Sequence, residues 1–257
     1  MYIDVHCHLN YTDYHDCDSL IRECGDKGIK KIITAGFDLD SSLLSMRIAE
    51  KHEGVYFTAG FHPTELKKYK RGDLEKIKTL CMHPKCVAWG EIGLDYHYPD
   101  TDKRFQREMF LAQLNEAHEL KTPVQIHSRD CAEDMLELLK ENRGLLEYGA
   151  LLHCYSHSAE TAEEFLKLGV KFSFGGTSTY KRSKKPRRAI AAIPQNALMT
   201  ETDSPYLSPS GRFGEFPNTP LSIPEICANM AEIKGVSAEE MAEQVWDNAL
   251  GLFPKLK

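Results

Sequence analysis

The chain reads as α/β, a single (β/α)8 TIM barrel spanning residues 1–257. Three features predict this fold. Short apolar runs alternate with helix-periodic segments eight times, and one run after another stops at a histidine or a carboxylate. The length also matches the roughly 250 residues typical of such a barrel. The alternation calls for parallel strands with helices outside. No linker, low-complexity tract or composition break divides the chain. An open doubly wound sheet satisfies the same alternation, but its dinucleotide-binding form requires a Gly-x-Gly-x-x-Gly turn after the first strand, and none is present.

Tyr2, Ile3 and Val5 predict the first strand, which leads into His6-Cys7-His8. Successive side chains of a strand alternate faces, so His6 and His8 share a direction and Cys7 takes the opposite one. Leu20, Ile21 and Cys24 predict a helix over Cys17–Lys27, ended by Gly28. A strand at Lys30–Thr34 precedes a helix capped by Asp40 and anchored by Leu43, Leu44, Met46, Ile48 and Ala49. The third strand, Val55–Ala59, stops at Gly60-Phe61-His62-Pro63. A helix over Leu74–Cys81 leads to the fourth strand, Cys86–Trp89, which runs into Gly90-Glu91. The helix at Lys103–Leu120 places Phe105, Met109, Phe110, Leu114 and Ala117 on or beside one face. The strand starting at Pro123 ends at His127, a helix covers Cys131–Lys140, and the strand Gly149–Leu152 ends at His153. Then come a helix at Ala159–Leu168, a strand at Val170–Phe174, a helix at Pro186–Ala192, and a strand at Ala197–Thr200 opening onto Glu201-Thr202-Asp203. Helical segments at Ser222–Lys234 and Ala238–Leu250 follow. Ser204–Pro220, rich in Pro, Gly and Ser, reads as a long loop over the barrel mouth.

Composition narrows the class. A hydrophobic content of 42% supports a full core. The eight cysteines contain no Cys-x-x-Cys pair, which fits reduced thiols and argues against a zinc ribbon. No leader pattern and no run of 18 apolar residues occur, so the expectation is a cytoplasmic protein without a membrane partner. The formal charge of −6 opposes broad, nonspecific polyanion binding but leaves room for a local basic patch.

The strand ends of a barrel share one face, where catalytic groups gather. His6, His8, His62, Glu91, His127, His153 and Asp203 all fall at such ends, five of the eleven histidines among them. His15, His52, His83, His97, His118 and His157 fall in loops or helices. His6, His8 and Asp203 form a donor set for one divalent ion, and His127 and His153 for a second. Glu91 bridges the two, because a carboxylate has two oxygens to share. Such a pair of ions clamps the attacking and leaving oxygens of a displacement and makes water nucleophilic near neutral pH. Asp203 is also placed to take a proton from that water. Imidazole with carboxylate suits zinc or manganese, whereas magnesium normally takes more oxygens.

The chain resembles the TatD-like metal-dependent hydrolases, DNases of the amidohydrolase superfamily. The resemblance runs through His6-Cys7-His8-Leu9, Gly60-Phe61-His62-Pro63, Gly90-Glu91-Ile92-Gly93-Leu94-Asp95-Tyr96, Pro123-Val124-Gln125-Ile126-His127-Ser128-Arg129, His153-Cys154-Tyr155-Ser156 and Glu201-Thr202-Asp203-Ser204-Pro205-Tyr206-Leu207. It covers almost the whole length. It implies a barrel with a divalent-metal centre, nuclease activity on DNA, often from a 3′ end, and His6, His8, Glu91, His127, His153 and Asp203 as metal ligands. One segment departs from the family pattern. Many relatives carry an Arg-Asn-Glu-Pro-like stretch after the Asp203 motif, where this chain has Gly211-Arg212-Phe213-Gly214-Glu215-Phe216-Pro217-Asn218.

Further candidates surround this set. Glu201, two residues before Asp203, faces a third ion or holds an imidazole tautomer. His62, held extended by Pro63, is a contact for a phosphate or a leaving group. Arg129 offers a planar fork for phosphate, and Asp95 a hydrogen-bonding partner in the mouth. Lys181 and Arg182 open the densest basic run, Lys181–Arg188, near the mouth. Tyr155, Tyr180, Phe213 and Phe216 are stacking candidates for unpaired bases. Cys7 and Cys154 are expected to turn into the core. The expected function is a divalent-metal hydrolase cleaving DNA phosphodiesters with metal-activated water. An ester or amide hydrolase on the same ligands, such as an aminoacyl-nucleic acid deacylase, and a non-catalytic scaffolding barrel are the rivals. No obligate protein partner is expected.

Overall fold

The computed structural model describes residues 1–11, 14 and 16–257, so His15 lies outside the described residues. Eight strands, β1 Tyr2–Cys7, β2 Ile29–Ala35, β3 Val55–Ala59, β4 Cys86–Asp95, β5 Val124–Arg129, β6 Ala150–Leu152, β7 Lys171–Phe174 and β8 Leu198–Thr200, form one sheet whose spatial order is the chain order. Each neighbouring pair from β1–β2 to β7–β8 is parallel. Closure is made by the end of β8 against β1. Thr200 Oγ1 donates to the Ile3 carbonyl at 2.9 Å, Asp203 N to the His6 carbonyl at 3.0 Å, and His8 N to the Ser204 carbonyl at 2.7 Å. The result is the nearly closed barrel that the alternation implied. Its connecting helices are α1 Cys17–Asp26, α2 Leu39–Lys51, α3 Asp73–Cys81, α4 Lys103–Glu119, α5 Ala132–Glu141, α6 Ala159–Leu166 and α7 Lys184–Ala192; α8 Ile223–Lys234 and α9 Ala238–Leu252 follow β8.

Two local expectations need correction. The cap of α2 is Asp38 rather than Asp40. Its carboxylate accepts from Ser41 N at 2.8 Å while Ser41 Oγ accepts from Asp38 N at 2.9 Å, a reciprocal box that satisfies two otherwise orphaned amides. The strand at Cys86–Trp89 continues to Asp95, with a register shift between Trp89 and Ile92. Glu91 therefore sits inside β4 at an irregularity, and such bulges re-aim side chains. Gly93, at φ +149°, lets β4 approach β5, since a Cβ there would meet the His127 carbonyl at 2.0 Å.

The core has two parts. Between sheet and helices, Trp89, Phe57, Phe110, Phe165 and Phe172 pack with many aliphatic residues. A second cluster joins strand residues Ile3, Val5, Ile33, Ala88, Leu151 and Met199 to Ala249, Leu252, Phe253 and Leu256 at the end of α9. The C-terminal helix thus carries the apolar side chains that meet the strand starts. Lys85 Nζ donates to the Ala49 and His52 carbonyls, each at 2.6 Å, adding a charged donor to carbonyls that also accept from His52 N and Val55 N at the end of α2. All eight cysteines are free. Among the described residues no helix is long and apolar enough to cross a membrane.

Candidate metal centre

The strands bring His6, His8, Glu91, His127, His153 and Asp203 together, all but the fully buried His6 lining a mouth cavity of about 1140 Å³. His6 Nδ1 lies 2.9 Å from Gln125 Oε1, and Gln125 Nε2 donates to the Val5 carbonyl at 2.7 Å, which fixes that amide's orientation. His6 therefore carries its proton on Nδ1 and turns an Nε2 lone pair inward. His8 does likewise, donating from Nδ1 to the Ala35 carbonyl at 3.2 Å. The two inward nitrogens meet the same oxygens. His6 Nε2 is 3.5 Å from Glu91 Oε2 and 3.6 Å from Asp203 Oδ1, and His8 Nε2 is 3.8 and 3.4 Å from those atoms.

The other Glu91 oxygen faces a different set. Oε1 is 3.0 Å from His127 Nδ1 and 2.7 Å from His153 Nε2, and the two nitrogens are 3.3 Å apart. His127 turns Nδ1 inward because its Nε2 is held 3.0 Å from Asp95 Oδ2. Asp95 is held in turn: its amide donates to Gln106 Oε1 at 2.8 Å, and Gln106 Nε2 returns to its carbonyl at 3.1 Å. Burial would raise the Glu91 pKa, but His153, His62 and His6, with the His127 bond, hold it well below the usual carboxylate range. Burial would lower the His6 pKa, but without an ion Glu91, Asp203 and Glu201 outweigh it and raise His6 to about 10, so Nε2 also takes up a proton, which a bound ion would displace from that lone pair.

These donors fit divalent ions. His6 Nε2 is buried without a hydrogen-bond partner, an arrangement that costs free energy unless something electropositive takes the lone pair. The groups His6, His8, Asp203 and Glu91, His127, His153 each bring their donor atoms within 4.8 Å of one another. The second-sphere bonds from Gln125, Ala35 and Asp95 to the far ring nitrogens are those that orient metal-bound histidines.

The remaining predicted residues occupy distinct places. His62 Nε2 is 3.3 Å from Glu91 Oε1, and Thr64 N donates to its Nδ1 at 3.2 Å, leaving Nε2 as the protonated atom. Glu201 lies fully buried behind His153, with Oε2 accepting from Ser173 Oγ at 2.6 Å and Oε1 unpartnered. Burial raises its pKa to about 8. Arg129 and Arg182 line the mouth, whereas Lys181 is not among the lining residues. Cys7 is buried as expected, but Cys154 is half-buried and lines the mouth, because its backbone at φ +45° breaks the strand alternation. Tyr155 is in the core against Phe172 at 4.9 Å, too enclosed to stack on a base. In the departing loop, Arg212 Nη2 donates to Ser222 Oγ and Asn218 Nδ2 to the Tyr206 carbonyl, so both hold the loop rather than face the mouth. The supporting roles of Gln125 and Gln106 were missed from sequence. Gln125 precedes His127 by two residues, a spacing that puts both on one face and was there to be read.

A closed barrel with paired imidazole sets sharing one glutamate defines a metal-centre enzyme fold. The family model for TatD related DNase matches residues 3–254, and the chain belongs to that family. It is 37% identical over 254 residues to the uncharacterized metal-dependent hydrolase YabD of Bacillus subtilis, covering 98% of this chain and 99% of that protein. The uncharacterized metal-dependent hydrolase YcfH of Escherichia coli K12 is 34% identical, covering 98% and 95%. The crystal structure of YJJV, a TATD homolog from E. coli K12, superposes with a TM-score of 0.93 at 31% identity, covering 98% of each chain.

Proposed function

We propose that this TatD-family metal-dependent hydrolase cleaves phosphodiester bonds in DNA, acting from a 3′ end, with two divalent ions of zinc, manganese or magnesium. The observation that carries the reading is the Glu91 carboxylate, whose two oxygens face two separate imidazole sets. His6, His8, Asp203 and Glu91 Oε2 would hold one ion; His127, His153 and Glu91 Oε1 the other. When bound, such ions lower the pKa of water and neutralise charge on a transferring phosphoryl group. Asp203 stays ionised despite burial because His8 and His6 lower its pKa. It can therefore accept the proton of the attacking water. His62, neutral and protonated on Nε2, donates to a phosphoryl or leaving oxygen. Arg129 supplies a planar fork for a neighbouring phosphate, and Arg182 adds charge along the strand, with Lys181 further out. The family description supports DNA as the substrate class.

The test is a time course of metal-loaded protein on end-labelled single- and double-stranded DNA, beside His127→Ala, Asp203→Ala and a chelator control. Ladder-forming cleavage that all three abolish is the expected result. If metal-loaded wild type leaves every DNA intact, the nuclease assignment fails and carbonyl esters and amides become the substrates to screen.

A further inference from the structure

The rim of the mouth changes chemistry around its circumference. Arg129 at the end of β5 and Arg182, Lys184 and Lys185 after β7 make one sector cationic, whereas Tyr206 after β8 and Tyr11 after β1 make another aromatic. Tyr206 is 52% exposed, and Phe216, 59% exposed, extends the aromatic surface outward with its ring centroid 6.3 Å away. Tyr11 braces Phe216 edge-on at 5.8 Å. The shelf begins beside the centre, since the Tyr206 and His8 ring centroids are 6.5 Å apart. Phe213, in contrast, rests 5.2 Å from Tyr180, whose hydroxyl is spent on the Ser208 carbonyl, and neither lines the mouth.

Exposed rings in contact with one another and bordering a cavity are unusual on a soluble surface and mark a binding site. The cationic sector identifies the occupant, because a ligand that satisfies both sectors needs flat π faces and a run of negative charge. A single-stranded nucleic acid has both, while a duplex keeps its base faces inside its own stack. We infer that Tyr206 and Phe216 form a stacking shelf for the nucleobase adjoining the scissile phosphodiester, with the cationic sector holding the phosphates beyond it. The inference rests on the nuclease reading and names the subsite that would make this centre select an unpaired end.

The test uses metal-loaded protein and an oligonucleotide with phosphorothioate linkages and 2-aminopurine as its 3′-terminal nucleotide. Stacking should quench the fluorophore. A Tyr206→Ala, Phe216→Ala double variant should lose the quench and bind about ten-fold more weakly, as expected for one lost stack, while Tyr206→Phe keeps both. A matched oligonucleotide with an abasic terminal residue should bind wild type about ten-fold more weakly and register no difference between wild type and the double variant. An unquenched fluorophore, or equal weakening for the base-bearing and abasic strands, overturns the shelf. Cleavage of the all-phosphodiester versions is followed in parallel. Quenching without cleavage sinks the nuclease reading and leaves the shelf standing; cleavage without quenching does the reverse.

Discussion

The two ends of this barrel are built on opposite principles. Toward the strand starts, Ile3, Val5, Ile33, Leu151 and Met199 meet Leu252 at the end of α9 and Phe253 and Leu256 just past it in a packed apolar plug. At the mouth, buried imidazoles and carboxylates are held apart in directions set by bonds to Gln125, Ala35 and Asp95. One end is stabilised by removing surface from water, and the other keeps unsatisfied lone pairs for later use. Stability and chemistry are thereby separated along the barrel axis, and substitutions at either end should report on one quantity and spare the other.

The largest separation is expected from Glu91→Gln. It keeps the side-chain shape but removes the shared negative charge, and should reduce kcat on the order of a hundred- to a thousand-fold while urea unfolding of the metal-free protein changes less than it does for a plug residue. Comparable loss of stability would break the contrast between the ends. Phe253→Ala is the converse, costing about 3–5 kcal/mol in urea denaturation with metal content per folded molecule unchanged. Chelation should lower the Tm of wild type, because ions bound only by the folded state contribute about 3–4 kcal/mol at a hundred to a thousand times their Kd; Glu91→Gln should show a smaller shift in the same calorimeter. Gln125→Leu releases the His6 ring and should weaken metal binding about ten- to a hundred-fold, measured by competition with a chromogenic chelator.

The smallest effect belongs to neither end. Burial raises the Asp38 pKa, but Ser41 and Lys68 outweigh it and hold this cap below the usual carboxylate value. A carboxyl depressed by folding stabilises above its unfolded pKa, near 4, and that contribution is lost as pH falls through the lower folded value. Asp38→Asn keeps a capping oxygen and loses only the half-exposed Lys68 pair, so it should cost less than about 1 kcal/mol at neutral pH and flatten the acid limb of a stability-against-pH profile. An unchanged acid limb would show that the cap, not the charge, matters there.

The barrel was legible because its strands are short apolar runs with histidines behind them. Periodicity and strand-end position sufficed to gather His6, His8, His127 and His153 on one face. What lay beyond reach depended on irregular backbone. Nothing in Cys86–Trp89 announces that the strand continues through a register shift to Asp95, so Glu91 looked like an end residue. Cys154 leaves strand alternation through a positive φ that no period-two argument foresees. The plug at the strand starts was equally hidden, since an amphipathic helix such as α9 shows that it has a buried face but not what covers it.

The closure of β8 on β1 has a consequence for biosynthesis. His6 and His8 emerge from the ribosome before Asp203, which faces them at 3.6 and 3.4 Å and is made some two hundred residues later. Contacts this distant in sequence form late because loop closure must precede them. A nascent chain stalled before β8 holds the early imidazoles without the carboxylate that completes their set, so tight metal uptake would report that β8 has been made and has closed on β1.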